Sequence, residues 1–336
     1  MDLPAYVARL GLPAEDAASP PSAALLRRIV AAHLAAVPFE NLSLHNGEAL
    51  PVSLAADALF DKIVARNRGG FCFELNGLLS VALRALGYGV RLLPCWVAAA
   101  TDVAGAGFRP LATHVTLLVR DAGGAAWFVD CGFGEPACEP LVYSLDGAEQ
   151  TTAEGITSRL QVDEEISEPE HAALGFGRSR SGRYARSGRY ARLEWQGTGD
   201  AGAGGEWSAR LRWAQDADAA DAATYEVDAG PQLSNPGFAA ACRHVCLEPG
   251  IFRDKLVCTL LTAGRKRTVA GSRLKTTEPR CSGGGDEQVV AFEKLDGVEG
   301  ARACLEQQSG SPEGRRRRSA WGRARWRSRE SGSTSS

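Results

Sequence analysis

From Pro20 to Leu34 the apolar residues of PPSAALLRRIVAAHL recur at the three- and four-residue intervals of an amphipathic helix. LAADALFDKIVA repeats the pattern at 54–65. A third helical run begins near Cys72 in CFELNGLLSVALRAL and stops at the Gly87-Tyr88-Gly89 punctuation. The first ninety residues therefore predict a helical unit, 1–90. After Gly89 the texture changes to short β-rich runs, VRLLPCWVA, THVTLLVR and AAWFVDCGF, separated by Gly and Asp turns. These predict a sheet or barrel over 91–215. ARLEWQ, WSARLRWA, DKLVCTLLT and KRTVAGSRLK continue the strand pattern, and GVEGARACLEQQ predicts a short closing helix in a mixed unit over 216–305. Segregated helices and strands place the chain in the α+β class.

Two stretches differ in kind. Residues 181–192 are a tandem hexapeptide, SGRYAR-SGRYAR, within a polar stretch, and such repetition predicts an exposed insertion over 177–206. Residues 306–336 are rich in Arg, Gly and Ser with almost no aliphatic side chains, which predicts a disordered tail. Arg interleaved with Trp321, Trp326, Tyr184 and Tyr190 offers charge and stacking to a nucleic acid. A net charge of −2 over 336 residues argues against that partner and for a solvated surface. No run of eighteen apolar residues suggests a membrane partner, and MDLPAYVARLGLP lacks the features of a secretion signal. Nine scattered cysteines fit a reducing, cytoplasmic setting better than a disulfide framework.

The chemistry concentrates in RNRGGFCFELNG, 66–77. A cysteine flanked by aromatics is commonly a small buried hydrophobe. Cys72, however, opens a helix, where the N-terminal dipole and a nearby histidine lower a thiol's pKa to roughly 3.5–7.5. The two preceding glycines are expected to leave N–H groups open for an acyl oxyanion. Of five histidines, His114 is the best-placed base, because THVTLLVR, the DAGG turn and AAWFVD form a hairpin that returns Asp130 to its side. If Arg120 pairs with Gly124, residues 114 and 130 lie opposite and share a face. Asp130 then holds the imidazole tautomer while the other ring nitrogen addresses Cys72. A one-residue slip separates them.

These residues also carry a resemblance. RGGFCFELN, the VPFENL of HLAAVPFENLSLHNG, HVTLLV and FVDCGFG resemble, in the same order, four motifs of the arylamine N-acetyltransferase family. The resemblance implies a Cys72, His114, Asp130 catalytic triad, Phe133 in the acceptor pocket, and an Arg68–Glu40 ion pair beneath the site. It further implies a helical first domain, a β-barrel second domain and an α/β lid, in a fold similar to papain-like cysteine enzymes. The implied reaction is ping-pong acetyl transfer with acetyl-CoA as co-substrate, no bound cofactor, and a small aromatic amine, arylhydroxylamine or hydrazine as acceptor. Phe39, Phe73 and Phe133 are candidate walls for the aromatic ring. The likeness thins after residue 230, where YEVDAGPQLSNPGFAA keeps only Asn235, Pro236 and Phe238 of the lid motif. Another acyl donor, an amide synthase, or a silent binding homologue stay open as alternatives.

Two further motifs carry less. GTGDAG, 197–202, fits a dinucleotide-binding spacing, yet the strands around it predict a hairpin without the helix N-terminus that cradles phosphate. CRHVC places Cys242, His244 and Cys246 on one face if extended, an arrangement zinc accepts with a fourth ligand such as Cys258. With no second close ligand pair, CRHVC reads as a packed strand and no metal is expected.

Overall fold

The computed structural model describes residues 1–98, 111–133, 139–152, 156–166, 188–196, 207–214, 236–262, 265–277 and 290–294. GVEGARACLEQQ, the Arg-rich tail, GTGDAG, Asn235 and the first SGRYAR copy lie outside them.

The N-terminal helices follow from their caps and stripes. In α1 (Leu3–Leu10) the Asp2 carboxylate accepts from the Ala5 N–H at 3.0 Å, and Gly11, at φ 72, ends the helix. The Ser22 hydroxyl starts α2 (Ala23–Ala36), which buries Leu25, Leu26, Ile29 and Val30 along one stripe. The single helix predicted at 54–65 is divided: α3 (Ala56–Phe60) passes into a π-helical turn, Asp61–Ala65. In α4 (Cys72–Ala85) every residue from Cys72 to Ser80 is buried, as expected of a helix surrounded by the rest of the fold.

Eight strands form a nearly closed sheet. They are β2 (Gly89–Val97), β3 (His114–Arg120), β4 (Ala126–Val129), β5 (Leu141–Val142), β6 (Gln150–Thr151), β7 (Thr157–Ile166), β8 (Gly188–Gln196) and β9 (Trp207–Ala214), in the order β5-β4-β3-β2-β9-β8-β7-β6. A side chain bridges the two edges. The Gln150 amide donates to Val142 O (2.9 Å) and accepts from Val142 N–H (2.7 Å), substituting for a ladder rung. Inside, Phe128 stacks on Trp213 at 5.0 Å among Leu93, Leu160, Leu193 and Leu211.

A second sheet, β1-β10-β11-β12-β13, combines β10 (Val257–Thr262), β11 (Arg265–Ala270), β12 (Arg273–Thr277) and β13 (Val290–Lys294) with a strand from the other end of the chain, β1 (Phe39–Glu40). Asn41 clamps this junction. Its Nδ2 donates to Phe252 O and Lys255 O, both at 2.8 Å, and its Oδ1 accepts from Val257 N–H at 2.7 Å. The VPFENL segment thus builds the lid's edge as well as lying near Cys72.

Two expectations are corrected. CRHVC is helical, inside α5 (Pro236–Leu247), which leads to α6 (Ile251–Asp254). Phe238, Cys242 and Cys246 recur every four residues on its buried side, whereas His244, two positions from each cysteine, projects elsewhere. Within the insertion expected over 177–206, residues 188–196 form β8, where Ala191 is fully buried opposite Val162, while 177–187 and 197–206 lie outside the described residues. Alternation along the strand lets the small Ala191 face the core although its neighbours in the repeat are polar.

Candidate active site

The glycines before Cys72 serve close packing. A Cβ on Gly69 would stand 1.9 Å from Pro38 O, and one on Gly70 would stand 2.7 Å from both Cβ and Oε2 of Glu74. The Gly70 N–H, expected to be open for an oxyanion, donates to Pro38 O at 3.3 Å. Phe71 precedes the helix, and its N–H donates to Glu74 Oε2 at 3.2 Å. Cys72 follows as the first helical residue, where a backbone N–H has no carbonyl one turn earlier to bond.

His114 begins β3 and Asp130 lies just past the end of β4. Their hairpin is paired two residues away from the expected register, with Arg120 opposite Ala126 instead of Gly124. An even shift preserves the face, so the two side chains still meet, now diagonally. His114 Nε2 lies 2.6 Å from Asp130 Oδ2. That leaves Nδ1 as the ring nitrogen to address the thiol, and Cys72 is near enough to help raise the imidazole. The thiol also lies 3.7 Å from Thr113 O. All three side chains are buried within one small region, with Cys72 and His114 each 4% exposed and Asp130 7%.

Burial alone would disfavour a charged His114. The Asp130 charge and hydrogen bond, assisted by Cys72, overcome it and raise the imidazole to about 10. Asp130 is itself fixed. Its Oδ1 accepts from Asn76 Nδ2 (2.9 Å) and from the Gly132 N–H (2.8 Å). Asn76 also donates to Val115 O at 2.6 Å and accepts from the Cys131 N–H at 2.9 Å, tying α4 to β3 and to the end of β4. Sequence reasoning missed Asn76, although its position one turn after Cys72 puts both on one helix face. Gly132 completes the fit, since a Cβ there would stand 2.6 Å from Cys72 Cα.

Of the three phenylalanines named as pocket walls, Phe133 reaches the site: its ring meets the His114 ring edge-on at 5.2 Å. The other two belong to the core. Phe73 is wholly buried and packs on Phe71, and Phe39 packs on Phe252 of the lid. Neither ring has surface to offer an acceptor.

Below the helix start runs a buried ionic network. Arg68 Nε donates to Glu40 Oε1 at 3.1 Å, as expected, while its Nη1 donates to Glu48 Oε1 at 2.9 Å. Ser43 Oγ donates to Glu48 Oε2 (2.7 Å) and accepts from Lys62 Nζ (2.8 Å), and Lys62 donates to Glu74 Oε1 (2.7 Å). Burial pushes Glu48 up, but Ser43, Arg68 and Asn46 together bring it down to about 2. Lys62, Glu48 and Ser43 carried no signal in the sequence.

The model of the N-acetyltransferase family matches residues 23–308. The chain belongs to the arylamine N-acetyltransferase family. The arylamine N-acetyltransferase of Mycolicibacterium smegmatis is 40% identical over 160 residues, 46% of this chain and 54% of that protein. The Mycobacterium tuberculosis H37Rv enzyme is 37% identical over 166 residues, 48% and 56% respectively. The chain spans about half the length of these curated relatives. The solved M. smegmatis structure superposes at a TM-score of 0.65 with 25% identity, covering 93% of each chain. A Mycobacterium marinum relative, solved in complex with CoA, gives 0.63 with 23% identity, covering 96% of this chain and 99% of that one. Helical bundle, nearly closed barrel sheet and lid therefore form the papain-like fold of arylamine N-acetyltransferases.

Proposed function

We propose that this family member transfers an acetyl group from acetyl-CoA to the nitrogen of an arylamine, arylhydroxylamine or hydrazine through an acetyl-cysteine. The burial of Cys72, His114 and Asp130 together, with 2.6 Å between His114 Nε2 and Asp130 Oδ2, carries the reading. Cys72 is the nucleophile, His114 the acid and base, and Asp130 the group that orients and charges the imidazole.

In the first half-reaction the Cys72 thiolate attacks the thioester carbonyl carbon. The carbon–sulfur bond to CoA breaks, CoA leaves as the thiol by taking the His114 proton, and acetyl-Cys72 remains. In the second half-reaction the amine lone pair attacks the acetyl carbon. His114 takes the amine proton, the bond to Cys72 breaks, and the amide departs, leaving the thiolate–imidazolium pair restored. Low-basicity aryl nitrogens suit this step, because their lone pair is free at neutral pH. The helix-start N–H of Cys72 is the donor available to the oxyanion. Phe133, edge-on to the base, is the wall against which the acceptor ring packs. Family membership and the CoA carried by a protein of the same fold support acetyl-CoA as donor.

The test is intact-mass analysis after brief exposure to acetyl-CoA. The expected result is one acetyl adduct that is absent in Cys72→Ala and discharged by an arylamine. No adduct from acetyl-CoA overturns the reading. Rapid CoA release without an amine would assign a hydrolase instead.

A further inference from the structure

Lys62 and Glu74 form an ion pair that is almost wholly removed from water, with side chains 7% and 2% exposed and 2.7 Å between Nζ and Oε1. The other carboxylate oxygen, Oε2, accepts from the Phe71 N–H, one peptide unit before Cys72. Glu74 thus spans from a lysine in the π-helical turn to the backbone that enters the nucleophile's helix. Gly70 has no side chain because this carboxylate occupies the space.

An anion so near the sulfur opposes a thiolate, yet the same carboxylate is needed to hold the helix start. Burial raises Glu74, the neighbouring Glu40 charge adds to this, and Lys62 opposes both. The charged groups of the network are Glu40, Glu48 and Glu74 against Arg68 and Lys62, three negative and two positive, a net of −1. Cys242 and Cys246 of α5, Cys95 of β2 and His114 of β3 are further ionisable neighbours: both α5 thiols feel Glu74, Cys246 also feels Lys62, and Cys242, Cys95 and His114 feel Cys72.

We propose that Lys62 is a positioning residue for the nucleophile: by neutralising Glu74 it lets that carboxylate fix the first turn of α4 without an uncompensated negative charge beside Cys72. The proposal rests on Cys72 as the reacting sulfur and adds a residue that touches neither substrate nor sulfur. Removing Lys62 alone leaves the network more negative and disfavours the thiolate. Removing both partners returns the net charge to −1, because two negative groups, Glu40 and Glu48, then face Arg68.

The readout is the pH dependence of iodoacetamide alkylation at Cys72, followed by peptide mass in the full chain. Lys62→Met is expected to move the midpoint upward by about one unit, the size of one charge acting across roughly 12 Å in a medium of effective dielectric near 20. Lys62→Arg should restore most of it, and Lys62→Met/Glu74→Gln should return it to the wild-type position. Glu74→Gln alone should move it downward. A Lys62→Met midpoint equal to wild type, with only thermal stability lost, assigns a structural role and overturns the proposal. Should Lys62→Met not fold, an unshifted or raised midpoint in Glu74→Gln overturns it independently. Failure of wild-type Cys72 to alkylate ahead of the other cysteines would instead count against the nucleophile assignment, so the two readings fail separately.

Discussion

Among the described residues two histidines are buried, each held through one ring nitrogen by an oxygen, and they are driven in opposite directions. His33 Nδ1 lies 3.0 Å from the Tyr6 hydroxyl, and its Nε2 has no partner among the described residues. Burial, aided by Arg9, lowers it to about 3. His114 Nε2 lies 2.6 Å from a carboxylate and is raised to about 10. The Tyr6 phenol also feels Cys131, the residue after Asp130. Desolvation is therefore common to both, and the partner decides. A phenol, itself held protonated by burial, gives the ring a neutral hydrogen bond, whereas a fixed carboxylate makes the cation the favoured form. A neutral imidazole can accept a thiol proton, but only where a carboxylate stabilises the resulting imidazolium is the ion pair the favoured form.

The largest effect should come from converting one environment into the other. Asp130→Asn keeps the shape but removes the charge, leaving His114 with an amide as its partner. Acetyl transfer should fall by at least about 10³-fold, the scale seen when a triad carboxylate is neutralised. Alkylation of Cys72 at neutral pH should slow with it. Unchanged transfer in a folded Asp130→Asn protein would remove Asp130 from the mechanism.

The parts of this comparison differed in how far the sequence displayed them. Cys72, His114 and Asp130 stood in short local patterns, a helix start and a hairpin, whose geometry is largely set by neighbours in the chain. The hairpin pairing still came out two residues away from expectation, and the His114–Asp130 contact survived because side-chain direction repeats every second residue. By contrast, nothing local to His33 announces that it is fully buried, because its contact with Tyr6 lies 27 positions away. Lys62 is likewise joined to Glu74 and Ser43, 12 and 19 positions away, by tertiary packing that no local pattern encodes. The α5 segment was legible and misread: the alternation of Cys242, His244 and Cys246 suggested a strand, while Phe238, Cys242 and Cys246 at four-residue intervals already spelled a helix stripe.

A second way to sharpen the comparison is through stability against pH. For His114 the folded value, about 10, exceeds the ordinary imidazole value of 6.5. Its contribution is therefore fully present below about 6.5 and is lost as pH rises through about 10. For His33 the folded value, about 3, lies below 6.5. The unfolded chain then takes up a proton that the folded chain refuses, so stability falls as pH drops from about 6.5 towards 3. In thermal melts across pH 4–10, His114→Gln should flatten the alkaline side of the profile and His33→Gln the acid side. Both variants flattening the same side would refute the opposed assignment.

The smallest expected effect tests whether burial or the phenol keeps His33 neutral. Tyr6→Phe preserves the ring and removes one hydroxyl, leaving Nδ1 of His33 without its bond. Loss of a buried hydrogen bond with one polar atom left unpaired costs about 1–3 kcal/mol, which melts or denaturant titration resolve. Because desolvation is the leading cause of the His33 shift, its acid-side window should keep its position in Tyr6→Phe. Cys72 alkylation should also hold its pH dependence, since the nucleophile's imidazole draws its charge from Asp130 and not from the helical core. If His33 in Tyr6→Phe instead gains a proton near 6.5, the hydroxyl was setting its state, and the contrast between the two histidines would come from their hydrogen-bond partners alone.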